Sequence, residues 1–135
     1  MEREDLNLLL SRTEAFSSAP GEAIELLLDA AEVKLISASE TLIREGASGE
    51  SIWMLLEGEL VVDVGGQLAN ELSDRGVVVG EISAVSQTPA TATVRSKGEG
   101  SALCIPQEAL HRAMVEYPDL AGSMLRSMAK YLGRL

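Results

Sequence analysis

Between Lys34 and Ile105 the chain is cut into short β-prone runs, and that cutting limits the folds open to it more than any other feature. The runs are Lys34–Ser37, Thr41–Arg44, Ser51–Leu56, Glu59–Val64, Gln67–Leu72, Val77–Val79, Thr91–Ser96 and Ser101–Ile105. Gly46, Gly49, Gly58, Gly65, Gly66, Gly76, Gly98 and Gly100 lie between them. Eight short strands at close spacing predict a small antiparallel barrel or sandwich rather than a parallel sheet, whose crossovers need more chain. Val64-Gly65-Gly66-Gln67 is a tight-hairpin signal, because glycine tolerates the positive φ that such turns require. One segment breaks the pattern. Gly80-Glu81-Ile82-Ser83-Ala84-Val85-Ser86-Gln87 has no alternation and reads as a single helical turn held between two strands.

Helical periodicity flanks this region. Residues 6 to 33 read as helical, broken at Pro20-Gly21, with Ile24, Leu27, Leu28 and Ala31 on one face. Ser18 is the candidate cap for the second piece, since a hydroxyl can accept an orphan backbone N–H. Residues 106 to 135 are helical again. Pro106 suits a first turn, and a second helix starts at Pro118 with Tyr117 leading in. Leu125, Met128, Leu132 and Leu135 form an apolar stripe along it.

The 135 residues match the size of one domain, and 46% are hydrophobic, so a core can form. Aromatic residues make up only 3%, which leaves the core to aliphatic side chains. A formal charge of −10 disfavours direct contact with nucleic acid phosphates or anionic lipid heads. A single cysteine, Cys104, excludes an internal disulfide and fits a reducing compartment. No apolar run spans a bilayer, and the charged start Met1-Glu2-Arg3-Glu4-Asp5 lacks a secretory core, so a cytoplasmic location is expected. Catalysis has little support. His111 and Cys104 form no recognisable pair, no metal-binding spacing occurs, and no nucleophile elbow or phosphate loop is present.

The order helix, short strands, embedded helical turn, two strands, two helices carries a resemblance. Gly80-Glu81-Ile82-Ser83-Ala84 followed by Thr88-Pro89-Ala90-Thr91-Ala92-Thr93-Val94 is similar to the phosphate-binding cassette of the cyclic nucleotide-binding domain family. Glu40 through Trp53 resembles that family's early strand pair, and Leu55 through Val62 its next hairpin. The resemblance implies an α+β, mainly β fold: an antiparallel β-roll of jelly-roll type, about eight strands, flanked by N- and C-terminal helices. It implies one domain over 1–135, with a helical lead at 1–33, a roll at 34–105 containing the cassette at 80–94, and C-terminal helices at 106–135.

The family's ligand is a cyclic nucleotide, cAMP or cGMP. By resemblance, Gly80, Glu81, Ile82 and Ser83 cradle it, with Glu81 accepting a bond from the ribose 2′-hydroxyl, while Ala90, Thr91 and Ala92 form the opposite wall. Backbone N–H groups at a helix start suit an anion, and small residues such as Ser83 and Ala84 permit its approach. Otherwise Glu81 is one more solvated acid. A Thr at position 91 resembles the pattern that favours guanine. Met128, Leu132 or Leu135 would act as a lid; alternatively the stripe packs on the roll or on another subunit.

The family's phosphate-binding arginine falls at position 90, which here is Ala90. Removing one partner of a buried charged pair costs about 2–5 kcal/mol, roughly thirty-fold to several thousand-fold in affinity. Arg95 and Lys97 share the strand parity of Thr91 and Thr93 rather than that of Ala90, and with Arg75 they read as surface charge. The expected function is therefore a regulatory, non-enzymatic sensor domain that binds a cyclic nucleotide or related anion weakly and needs no metal. It would relay occupancy through its C-terminal helices to an attached output domain or a second copy. The alternative is a degenerate member that serves as an interaction or dimerisation module.

Overall fold

The computed structural model describes residues 1–132, with side chains through Lys130. Helix α1 (Arg3–Arg12), a 3-10 turn (Glu14–Phe16) and helix α2 (Gly21–Ala30) precede the first strand. The strands are β1 (Glu32–Ile36), β2 (Thr41–Ile43), β3 (Ser51–Glu57), β4 (Leu60–Val64), β5 (Gln67–Leu72), β6 (Val78–Val79), β7 (Thr93–Ser96) and β8 (Gly100–Pro106). Helix α3 (Glu81–Ser86) separates β6 from β7, and α4 (Gln107–Glu116) and α5 (Pro118–Leu132) follow β8.

All pairings are antiparallel, in two four-stranded sheets ordered β1-β8-β3-β6 and β2-β7-β4-β5. This is the antiparallel β-roll with flanking helices. The two central strands of the first sheet, β8 and β3, are buried on both faces, and the sequence says why. From Ile52 to Leu56 every residue of β3 is buried, an unbroken apolar run instead of an alternating one. Ile52, Met54, Leu56, Leu103 and Ile105 pack against the helices with Leu10, Phe16, Leu27 and Leu110. Trp53, Leu55, Ala102 and Cys104 point the other way, into the roll, with Leu60 and Val94 of the second sheet. Strand β5, at the edge of that sheet, is polar and exposed. Gly65 and Gly66 close the β4–β5 hairpin with φ of 60° and 81°, the two positive values a tight turn of this kind needs.

Three local expectations give way. Strand β1 begins at Glu32, ahead of Lys34. Ser18 does not cap α2: the helix starts at Gly21, and the carbonyl of extended Pro20 takes the amides of Ala23 and Ile24. The Ser18 amide instead donates to Ser123 Oγ on α5. Thr91 and Ala92 lie outside β7, because the backbone of Ala90 exchanges bonds with the turn after β2, Gly46 N to Ala90 O at 2.8 Å and Ala90 N to Ala47 O at 2.9 Å.

Candidate functional site

The segment between β6 and β7 links the two sheets. Strand β6 pairs with β3 through Trp53–Val79 and Met54–Val78, which fixes the direction from which the chain arrives. Gly80 then adopts a left-handed conformation, φ 88°, where a Cβ would sit 3.0 Å from Ile43 Cδ1 and 3.1 Å from the Ser51 carbonyl oxygen. Glycine is required there on both counts. The turn launches α3, whose first amides have no partner within the helix. Gln87, also left-handed, ends it by donating its amide to the Ser83 carbonyl.

All seven residues singled out in the sequence, Gly80, Glu81, Ile82, Ser83, Ala90, Thr91 and Ala92, line one cavity of about 160 Å³. Ile43, Val62, Val78, Val79 and Val94 complete its wall. The lining is small or aliphatic apart from one acid. Glu81 is largely buried, and its Oε2 is the only buried side-chain oxygen or nitrogen among the described residues without a hydrogen-bond partner. Burial pushes the Glu81 carboxyl above its usual range, opposed by a bond from its own backbone N–H. An unpartnered buried acceptor calls for a donor, which a sugar hydroxyl supplies. Phosphate fits less well, since among the described residues no Lys or Arg lines this cavity. Arg95 Nε donates to Asp63 at 2.9 Å, Lys97 sits 3.6 Å from Glu59 and 3.7 Å from Glu71, and Arg75 Nε donates to the Leu56 carbonyl.

Two features escaped the sequence reading. A second cleft, about 380 Å³, adjoins the first across Ile43, Gly80 and Ser83, and both Lys34 and Arg44 line it. The other feature joins the cassette to the C-terminal helices. The Ala84 carbonyl, near the end of α3, accepts from His111 Nε2 at 2.6 Å and Gln107 Nε2 at 3.2 Å, both on α4. The carbonyl can only accept, so the His111 proton is on Nε2. A spacing of 27 residues hides this pairing from any local pattern.

Helix α5 packs on the 3-10 turn and on α4. Met128 is half-buried and lines neither cavity; the Leu132 side chain and Leu135 lie outside the described residues. Cys104 is buried inside the roll with a free thiol. Among the described residues no helix is long and apolar enough to cross a membrane, and no cluster of His, Cys, Asp and Glu is placed to hold a metal ion.

Known proteins share this architecture. The sensor domain of the transcriptional regulator DNR from Pseudomonas aeruginosa superposes with a TM-score of 0.79 at 16% identity, over 93% of this chain and 92% of that one. The regulatory domain of PKA from Toxoplasma gondii, solved with cAMP, gives 0.75 at 25% identity, over 82% of this chain and 43% of that one. The mouse (Mus musculus) cyclic nucleotide-gated channel alpha-4 is 28% identical over 122 residues, which is 85% of this chain but only 21% of the channel subunit. The family model of the cyclic nucleotide-binding domain matches residues 33–117, from the first strand through the cassette to the end of α4. With more than half its length so matched, the chain belongs to the cyclic nucleotide-binding domain family.

Proposed function

We propose that the chain is a regulatory sensor domain that binds a cyclic nucleotide, cAMP or cGMP, weakly in the cavity of Gly80–Ser83 and Ala90–Ala92. The observation that carries this reading is the buried, unpartnered Oε2 of Glu81, an acceptor that a ribose 2′-hydroxyl would satisfy. Affinity is low because Ala90 supplies no counter-charge to the phosphate. Thr91, an exposed residue of the cavity lining, resembles the family pattern that biases the choice toward guanine. The domain binds rather than catalyses, and it works in the cytoplasm.

Occupancy is relayed through α3. A ligand that shifts α3 moves the Ala84 carbonyl and with it His111, Gln107 and α4. Helix α5 follows, carrying Met128 and Leu132 toward the cavity as a lid in the second arrangement. A ligand drives such a change only to the extent that it binds one arrangement better than the other. The output is an attached domain or a second copy of the chain.

Isothermal titration with cAMP and with cGMP tests the reading. Saturable heat that weakens about tenfold or more in Glu81→Gln is expected. No heat from either nucleotide at millimolar concentration overturns it. An acid with no cation beside it among the described residues favours one second reading, that the domain has lost its ligand and serves as an interaction or dimerisation module. That reading gains if the parent chain gives no heat while Ala90→Arg does.

A further inference from the structure

The cleft beside the cassette differs from it in charge. Its floor is Trp53, 8% exposed, on the roll side of the first sheet; its far wall is β2 and the loop that follows. At about 380 Å³ it falls in the range of small-molecule sites. In this acidic chain several cations are paired off, Arg3 with Glu25 and Asp29, Arg95 with Asp63, Lys97 with Glu59 and Glu71. Lys34 and Arg44 have no carboxylate within salt-bridge distance among the described residues, and they reach one cleft from β1 of the first sheet and from the residue after β2 of the second. Lys34 Nζ stands 5.7 Å from the centre of the Trp53 ring, which holds the ammonium over the floor of the cleft. Ser48, Ser51 and Ser83 also line it, and none of their hydroxyls has a hydrogen-bond partner among the described residues. The one acid in the lining, Glu50, is exposed to solvent.

We infer that this cleft binds the phosphate group of a small molecule, with Lys34 and Arg44 as its counter-charges and the serine hydroxyls as additional donors. Two cations match a group bearing up to two negative charges, and a guanidinium beside an ammonium pairs with several phosphoryl oxygens at once. The indole provides an apolar surface for the organic part of the ligand. The inference stands whether or not the cassette itself takes a nucleotide. The phosphate belongs either to a nucleotide whose sugar lies at Glu81, reaching past Ile43, or to a separate phosphorylated molecule.

Trp53 is the only tryptophan in the chain, so its emission reports directly on the cleft. The experiment titrates the full chain with inorganic phosphate, cAMP and adenosine in phosphate-free, low-salt buffer. Parent, Lys34→Gln, Arg44→Gln, the double variant and Glu81→Gln are compared, with circular dichroism to verify folding. Both cations are exposed, so their replacement leaves the core intact. Inorganic phosphate is expected to give a saturable change that the double variant weakens about tenfold or more and Glu81→Gln leaves in place. If cAMP shows the same dependence on Lys34 and Arg44 and adenosine does not respond to it, the phosphate is the nucleotide's. If phosphate alone depends on the two cations, the ligand is a separate molecule. No saturable response to phosphate or cAMP, or responses unchanged in the double variant, would overturn the inference. The Glu81→Gln arm judges the cassette independently.

Discussion

The two cavities that meet at Ile43, Gly80 and Ser83 have opposite characters. The cassette cavity is small, about 160 Å³, and among the described residues it is lined by one buried carboxylate and no cation. The cleft beside it has about 380 Å³, and among the described residues it is lined by two cations without a carboxylate partner and three serines. One wall, the Gly80 turn and the start of α3, serves both. Shape and charge have therefore separated in this molecule. The fold keeps the cassette's backbone, since β6, the left-handed Gly80 and the Ala90–Gly46–Ala47 bonds depend on no charged side chain. Positive charge sits instead on β1 and at the end of β2, across the divide.

The strongest way to break this contrast is to put a cation back in the cassette. Ala90→Arg aims a guanidinium into the cavity that holds the Glu81 carboxylate. Isothermal titration should show cyclic nucleotide affinity rising by thirty-fold or more, the equivalent of about 2–5 kcal/mol. No gain would mean that the cassette backbone is not poised for phosphate. Next in size is the shared wall. Gly80→Val forces a β-branched residue into a left-handed conformation with its Cβ against the Ser51 carbonyl. Urea unfolding should report a loss of about 2–4 kcal/mol, and both cavities should lose their ligands together.

Glu81→Gln is smaller and depends on pH. Burial raises the folded carboxyl's pKa above its unfolded value, so the unfolded chain ionises first as pH rises. The folded state then loses stability from the ordinary carboxylate range up to the raised folded value, and the deficit stays constant above it. Glu81→Gln removes this deficit. The variant should be more stable than its parent at neutral pH, by about 1 kcal/mol, and little different below the carboxylate range. Thermal unfolding across pH checks it; a destabilised variant at neutral pH would show that the carboxylate is well satisfied. The smallest effect belongs to the link rather than to either cavity. His111→Ala should cost about 1 kcal/mol and leave nucleotide affinity nearly unchanged. Hydrogen exchange in α4 should then respond less to nucleotide, with Gln107 the remaining donor to the Ala84 carbonyl.

Much of this was legible in the sequence, because turn residues and alternation are local signals. The strand runs fell within a few residues of their true bounds, and Gly65-Gly66 announced its hairpin. The seven cassette residues came to line one cavity because a short segment carries them all. What the sequence hid was non-local. Lys34 and Arg44 meet only because β1 and β2 join different sheets that face each other across the roll. The one visible hint was that the Thr41–Arg44 run ends on a charge. The Ala84–His111 bond joins elements on opposite sides of two strands. Thr91 and Ala92 look β-prone, yet the clamp of Ala90 on the Gly46–Ala47 turn holds them off the ladder.

The central claim is a location: a cyclic nucleotide binds at the cassette. Amide chemical-shift mapping of the full chain with cAMP and cGMP tests it most directly. The account predicts saturable shifts at Gly80, Glu81, Ile82 and Ser83 and at Thr91 and Ala92, extending through Ala84 to His111 on α4. Spectra unchanged at millimolar nucleotide, or shifts that leave Gly80–Ser83 untouched, would contradict it.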